Sequence, residues 1–204
     1  RGCRPSGADL TSPRTCGLPT TMIGSIIVAG SAPSVREDVR DAKQLRPNVP
    51  ILAVNYAIRA LPEADFCYVG HIEFDFWREL AGDRPLYARS PGPKQREVTG
   101  PKSDHPEIDL WIDTPGIGGG SGISAALAAK ALGYSEIILC GCGMDWREGY
   151  VDDFTVVFSS TLQRSRVTPG QRAGLRAAIE RGVDFSGIVS MSGYTREVFG
   201  GPEE

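Results

Sequence analysis

Ser25-Ile26-Ile27-Val28-Ala29-Gly30-Ser31-Ala32-Pro33-Ser34 carries the first and strongest sign of an α/β fold. Ile26 to Ala29 is a short continuous apolar run, the pattern of a strand buried on both faces. It breaks at Gly30 into a turn of small residues that feeds a helix. Small residues between strand and helix let backbone N–H groups approach a ligand, and a helix N-terminus favours anions. A second turn of this kind, Gly118-Gly119-Gly120-Ser121-Gly122-Ile123, opens an alanine-rich helix leading into Ile137-Ile138-Leu139-Cys140. Two such turns point to a phosphate-bearing nucleotide held by an α/β fold.

Outward from these turns, strand-like and helix-like segments alternate from Ile23 onward. The expected architecture is three layers, α/β/α, around a mostly parallel sheet with one long irregular insertion. Strand one covers 25–29. Ser34-Val35-Arg36-Glu37 has the form of a capping box, and Val35, Val39, Ala42 and Leu45 follow at helical spacing. Ile51 to Val54 is a strand ending in Asn55-Tyr56 and a short helical turn, Ala64 to Gly70 a third strand, and 72–80 a helix. In 82–108 only Leu86-Tyr87-Ala88 and Glu97-Val98-Thr99 look strand-like, and a loop of that length reads as a functional lid or a disordered segment. Asp109 to Asp113, a helix over 121–132 stopped by Gly133, and a strand over 136–140 follow. The stretch 147–167 reads as irregular. Thr168-Pro169-Gly170-Gln171 reads as a helix start, with Thr as cap and Pro in first position. That helix runs to Gly182, with a last strand near 183–190.

The bulk properties are those of one globular unit with a substantial core. The chain has 204 residues, 41% hydrophobic and 23% charged. A net charge of −3 makes no global case for nucleic acid or an anionic membrane. No apolar stretch approaches the ~18–20 residues that span a bilayer. The five cysteines are odd in number and lack the spacing of a disulfide framework or a zinc site, so a reduced, cytoplasmic setting is expected. Residues 1–21 are rich in Arg, Pro, Gly, Ser and Thr without an apolar core. They read as a disordered or non-native leader before a single domain over 22–204.

Open α/β sheets bind ligands beyond the carboxyl ends of their strands. That rule selects Gly30, Ser31, Ala32, Pro33 and Ser34, then Asn55 and Tyr56, then Gly120, Ser121 and Gly122 as nucleotide-binding candidates. His71, next to a strand end, and Asp145, after the strand over 136–140, are the catalytic candidates. A strand-end polar contact and a loop cap are the alternative roles of those two residues. Arg164 and Arg166 are candidates to stabilise a leaving phosphate, a solvated loop face being the alternative. The first turn is neither a dinucleotide fingerprint nor a Walker loop, the alternative for the second is a flexible linker, and no serine-hydrolase elbow or zinc-protease motif occurs.

Ile26-Ile27-Val28-Ala29-Gly30-Ser31-Ala32-Pro33-Ser34 resembles the opening of bacterial sialyltransferases of the lipo-oligosaccharide type, and of Rossmann-like relatives that include flagellin-glycosylation factors and many phage proteins. Gly120-Ser121-Gly122-Ile123, Ala128 through Gly141, and Met144-Asp145 resemble a second block of that family. Arg181-Gly182-Val183 through Ser190-Met191-Ser192-Gly193 resembles its terminal helix and strand. The resemblance implies a Rossmann-like fold and cytidine-nucleotide contacts from Gly30, Ser31, Asn55, Ser121 and Gly122. It departs from the family at Ser31 and Ala32, where Asn and Gly are usual. A general-base histidine before the last helix is also missing: Gln163, Arg164 and Arg166 stand there. The function it implies is nucleotide-sugar-dependent glycosyl transfer from a CMP- or UDP-linked donor to a glycan or other hydroxyl acceptor, in a phage-encoded protein. Alternatives are an ATP- and Mg-dependent diphosphokinase, as in the archaeal pterin enzymes of the superfamily, and a nucleotide-binding protein without catalysis.

Overall fold

The computed structural model describes residues 23–70, 72, 76–92, 102–117, 120–144 and 161–203, without the side chains of 103 and 161–168. The leader over 1–21 lies outside the described residues. The elements in chain order are β1 (Ile23–Ala29), α1 (Val35–Leu45), β2 (Ile51–Val54), α2 (Ala57–Ala60), β3 (Phe66–Val69), α3 (Trp77–Ala81), β4 (Leu86–Arg89), β5 (Leu110–Ile112), α4 (Gly120–Ala131), β6 (Tyr134–Cys140), α5 (Thr161–Glu180), β7 (Ile188–Ser190) and α6 (Gly193–Phe199). The strands form one seven-stranded sheet in the order β5-β4-β3-β2-β1-β6-β7, and every described pairing is parallel. The fold is therefore the expected Rossmann-like α/β/α arrangement.

Alternation along the strands explains the three layers, because successive side chains leave opposite faces. Ile27, Ala29, Ile51, Ala53, Cys67, Val69, Ile138 and Cys140 pack against α1, α2 and α3. Ile26, Val28, Leu52, Val54, Tyr68, Ile137 and Leu139 pack against α4 and Leu175 of α5. Strands buried on both faces read as continuous apolar runs, which is why β1, β2 and β6 stand out in the sequence. Ile123 to Ala129 of α4 are all buried, so that helix is the inner one of its layer.

Several boundaries differ from the sequence reading. The helix expected from Thr168 begins at Thr161, inside the stretch read as irregular, and Pro169 sits within it. A proline removes one backbone hydrogen bond without ending a helix whose other turns are held. The helix expected over 72–80 is only Trp77–Ala81, and the last strand is only Ile188–Ser190, followed by α6. Within the insertion, Leu86–Arg89 is a full sheet strand and Lys102–Asp104 a single 3₁₀ turn, whereas Glu97-Val98-Thr99 lies outside the described residues.

At the amino-terminal ends of β1 and β6, Arg46 donates from Nε and Nη2 to the two carboxylate oxygens of Glu136, each at 3.1 Å, and the Ser25 hydroxyl donates to the same carboxylate. Burial opposes the charge, but these donors outweigh it and hold the Glu136 carboxyl below its usual range. A depressed carboxyl stabilises the fold above its unfolded pKa, and that contribution is lost as pH falls through the folded value. Glu136→Gln is expected to lower stability by about 1 kcal/mol at pH 7. Thermal unfolding across pH 3–7 checks this: the gap to wild type narrows towards acid pH.

Candidate functional site

β1 lies between β2 and β6, and the chain winds outward from it to β5 before α4 carries it back to β6. The strand order thus reverses at β1/β6, the position where open α/β sheets leave a crevice at their carboxyl edge. The two backbones meet closely there. Gly30 N–H donates to the Cys140 carbonyl at 2.7 Å, and Ala32 N–H to the Gly141 carbonyl at 3.0 Å. A Cβ on Gly30 would stand 2.5 Å from the Gly141 oxygen and 2.7 Å from the Cys142 sulfur. A Cβ on Gly122 would stand 2.7 Å from that same sulfur. Both glycine turns therefore close on one thiol, and neither tolerates a side chain. Burial pushes the Cys142 thiol up to about 12, a nearby Gly30 N–H offsetting part of the effect. Gly118 and Gly119 lie outside the described residues.

The side chains read as ligand donors are engaged within the fold. Ser31 Oγ donates to the Val54 carbonyl at 3.2 Å, joining the ends of β1 and β2. Asn55, at a positive φ of 52°, accepts the Gly70 N–H on Oδ1 at 2.9 Å and so joins the ends of β2 and β3. The Tyr56 ring is buried against Trp77 and Phe76, with centroids 5.5 and 6.4 Å away. Ser121 lies over Gly70, leaving no room there for a Cβ. Gly120, at φ 83°, faces the side chain of Gln171 in α5. The backbone N–H groups of α4's first turn lack intrahelical partners, as in any helix.

The capping box at Ser34 does not form. Ser34 is already helical, at φ −69° and ψ −9°, so its hydroxyl cannot fold back on the first amides, and no side-chain cap bond is made. Val35 N–H bonds the Ala32 carbonyl instead, and Pro33 is exposed at the corner. Ser34 Oγ donates to Asp38 Oδ2 at 3.2 Å. That oxygen also receives the Gly141 N–H at 2.8 Å and the Ser192 hydroxyl at 2.6 Å. Asp38 is 7% exposed and unites α1, the end of β6 and the turn after β7. Sequence reasoning passed over it, although the signal was present: position 38 falls on the same helix face as Val35, Val39 and Ala42.

On the other flank, Arg172 of α5 donates from Nε to the Met144 carbonyl at 3.0 Å, and its Cζ lies 4.6 Å from the Tyr194 ring centre. Arg176 Nε donates to the Tyr194 hydroxyl at 2.7 Å. Arg164 and Arg166 belong to the first turns of α5, about 9–12 Å further out along its axis, and their side chains lie outside the described residues. His71 and Asp145 are also outside them. His105 belongs to the crossover before β5, its Nδ1 3.2 Å from Glu107 Oε1 and its ring beside Trp111.

Among the described residues, no group of three or more His, Cys, Asp or Glu side chains gathers in a metal-binding arrangement, and no helix is long and apolar enough to cross a membrane. An apolar groove of about 180 Å³, lined by Ile23, Ile26, Leu52, Phe66, Tyr87, Leu132 and Tyr134, lies at the opposite, amino-terminal edge of the sheet. No family model matches the chain, and no curated protein does. A solved structure, of MAf glycosyltransferase from Magnetospirillum magneticum AMB-1, is similar at 16% identity and a TM-score of 0.47, over 82% of this chain. The chain spans about a third (33%) of the length of that structure.

Two glycine substitutions separate close approach from mere flexibility. Gly30→Ala forces a methyl against backbone and is expected to cost about 1–3 kcal/mol. Gly170→Ala, in α5 with open space around it, should stabilise by about 0.5–1 kcal/mol. Denaturant unfolding of the two variants should give shifts of opposite sign. In a second test, mass-spectrometric mapping after iodoacetamide at pH 8 should find Cys142 unmodified in the native protein and modified once it is unfolded.

Proposed function

We propose that the carboxyl edge around β1, β6 and α4 binds a nucleotide sugar and that the protein is a glycosyltransferase. The observation that carries the reading is the approach of both glycine turns to the Cys142 sulfur at the reversal of strand order. Backbone amides and a half-buried helix start lie there together, with side chains kept back by the glycines. The family resemblance supplies the nucleotide-sugar chemistry.

In this reading the amides of Ser31 and Ser34, and those of Gly120, Ser121 and Gly122, hold the donor phosphates, while Gly30, Ala32 and Pro33 shape the first turn around them. Asn55 and Tyr56 shape the floor under the nucleoside. The acceptor oxygen bonds to the anomeric carbon as the bond from that carbon to the donor phosphate oxygen breaks. The nucleotide leaves with the electron pair, and the acceptor proton passes to His71 or Asp145. A CMP- or UDP-linked donor and a hydroxyl acceptor on a glycan satisfy this scheme. Sialyl transfer and a phage origin are finer forms of the same reading.

Calorimetry with CMP, CDP, UDP and ATP tests the reading. Saturable binding of a pyrimidine nucleotide is expected, with release of that nucleotide when the matching sugar donor and an acceptor are supplied. Binding without turnover would leave a nucleotide-binding protein without catalysis. Magnesium-dependent AMP release from ATP would favour the diphosphokinase alternative, and binding of no nucleotide would exclude all three.

A further inference from the structure

We infer that Arg172 is the cation of the phosphate subsite, the role that the sequence suggested for Arg164 and Arg166. The inference rests on the nucleotide reading above and deepens it.

Arg172 is half-buried and held from two sides. Its Nε is fixed on the Met144 carbonyl at 3.0 Å, and its guanidinium lies over the Tyr194 ring, with Cζ 4.6 Å from the ring centre. Tyr194 is itself immobilised. Its ring is buried, its N–H donates to the Gly143 carbonyl at 2.8 Å, and its hydroxyl accepts from Arg176 Nε at 2.7 Å. Arg172 therefore has its plane and one edge set before any ligand arrives, and among the described residues neither Nη takes a hydrogen-bond partner. A planar fork whose Nη1/Nη2 edge stays open suits paired phosphate oxygens, and its immobilisation removes the ordering cost that a free surface arginine would carry.

Position agrees with that chemistry. The preceding residue, Gln171, places Nε2 within 3.0 Å of where a Cβ of Gly120 would stand, so this turn of α5 borders the second glycine turn. Met144, whose carbonyl anchors Arg172, follows the Gly141-Cys142 segment on which both glycine turns close, and adopts a left-handed φ of 52°. Arg176 is one turn along α5, and its Nε is already committed to the Tyr194 hydroxyl.

The test uses the full chain as wild type, Arg172→Gln, Arg172→Lys and Arg176→Gln, with CMP, CDP, UDP, cytidine, uridine and inorganic pyrophosphate as probes in calorimetry. Arg172→Gln should weaken nucleotide and pyrophosphate binding about tenfold or more, leave nucleoside binding unchanged and flatten the salt dependence. Arg172→Lys should recover only part of the loss, because an ammonium cannot present the fork. Arg176→Gln, which frees the Tyr194 hydroxyl, should weaken the same ligands by less than Arg172→Gln does. A second measurement needs no variant. Phenylglyoxal modification of the wild-type protein, mapped by mass spectrometry, should be slowed at Arg172 and not at Arg176 by the nucleotide that binds. Equal nucleotide affinity in Arg172→Gln, or equal Arg172 modification with and without nucleotide, would overturn the inference while leaving the nucleotide reading standing. Wild-type protein that binds no nucleotide would overturn both.

Discussion

The carboxyl end of this sheet depends on two backbones passing without side chains between them. Gly30, leaving β1, and Gly141, leaving β6, come so close that a single Cβ on Gly30 would collide with the Gly141 carbonyl. That approach sets the β1/β6 register, in which Ala29 stands opposite Cys140, and it brings the turn after β1 against the turn after β6. The Cys142 sulfur sits between the two turns, against Gly30 on one side and Gly122 of α4 on the other. The half-buried residue is a packing element there, and desolvation pushes its thiol up.

Asp38 answers the electrostatic problem created by that approach. The Gly141 amide, buried and at a φ of 60°, needs an acceptor within the fold. The Asp38 carboxylate supplies one and gathers the Ser34 and Ser192 hydroxyls as well. Near the N-terminus of α1 its charge is favoured by the helix dipole, which helps to offset burial. Arg172, held by Met144 and Tyr194, brings a positive charge to the other flank of this edge.

The opposite edge of the sheet is organised by different forces. Glu136, Arg46 and Ser25 tie β6 to β1 and to the end of α1 through charge-assisted bonds, while the groove bordered by Phe66 and Tyr87 is apolar. The two edges are distinct because parallel strands place all their carboxyl ends on one side.

Most of the architecture was legible in the sequence because burial on both faces leaves continuous apolar runs. Ile26 to Ala29, Ile51 to Val54 and Ile137 to Cys140 announce β1, β2 and β6, and the alanine-rich run after Gly122 announces α4. Boundaries were less legible where signals are local. Thr168-Pro169 has the chemistry of a helix start, yet the chain is helical from Thr161. Ser34 has the chemistry of a cap, yet its hydroxyl goes to Asp38. The candidate site was legible as positions, since strand ends and glycine turns can be read directly. The roles of its side chains could not be read, because a hydroxyl or amide cannot show from sequence whether a ligand or a neighbouring strand will take its hydrogen bond. Ser31 and Asn55 went to strand ends. Asp38, Arg172 and Tyr194 take partners 18 to more than 150 residues away along the chain, Asp38 in addition to its neighbour Ser34. Periodicity and missing side chains thus write the layered parallel fold and the two glycine turns into the sequence. Which polar groups are spent inside the fold and which face its carboxyl edge follows from the folded arrangement alone, because it depends on distances between segments that no local pattern encodes.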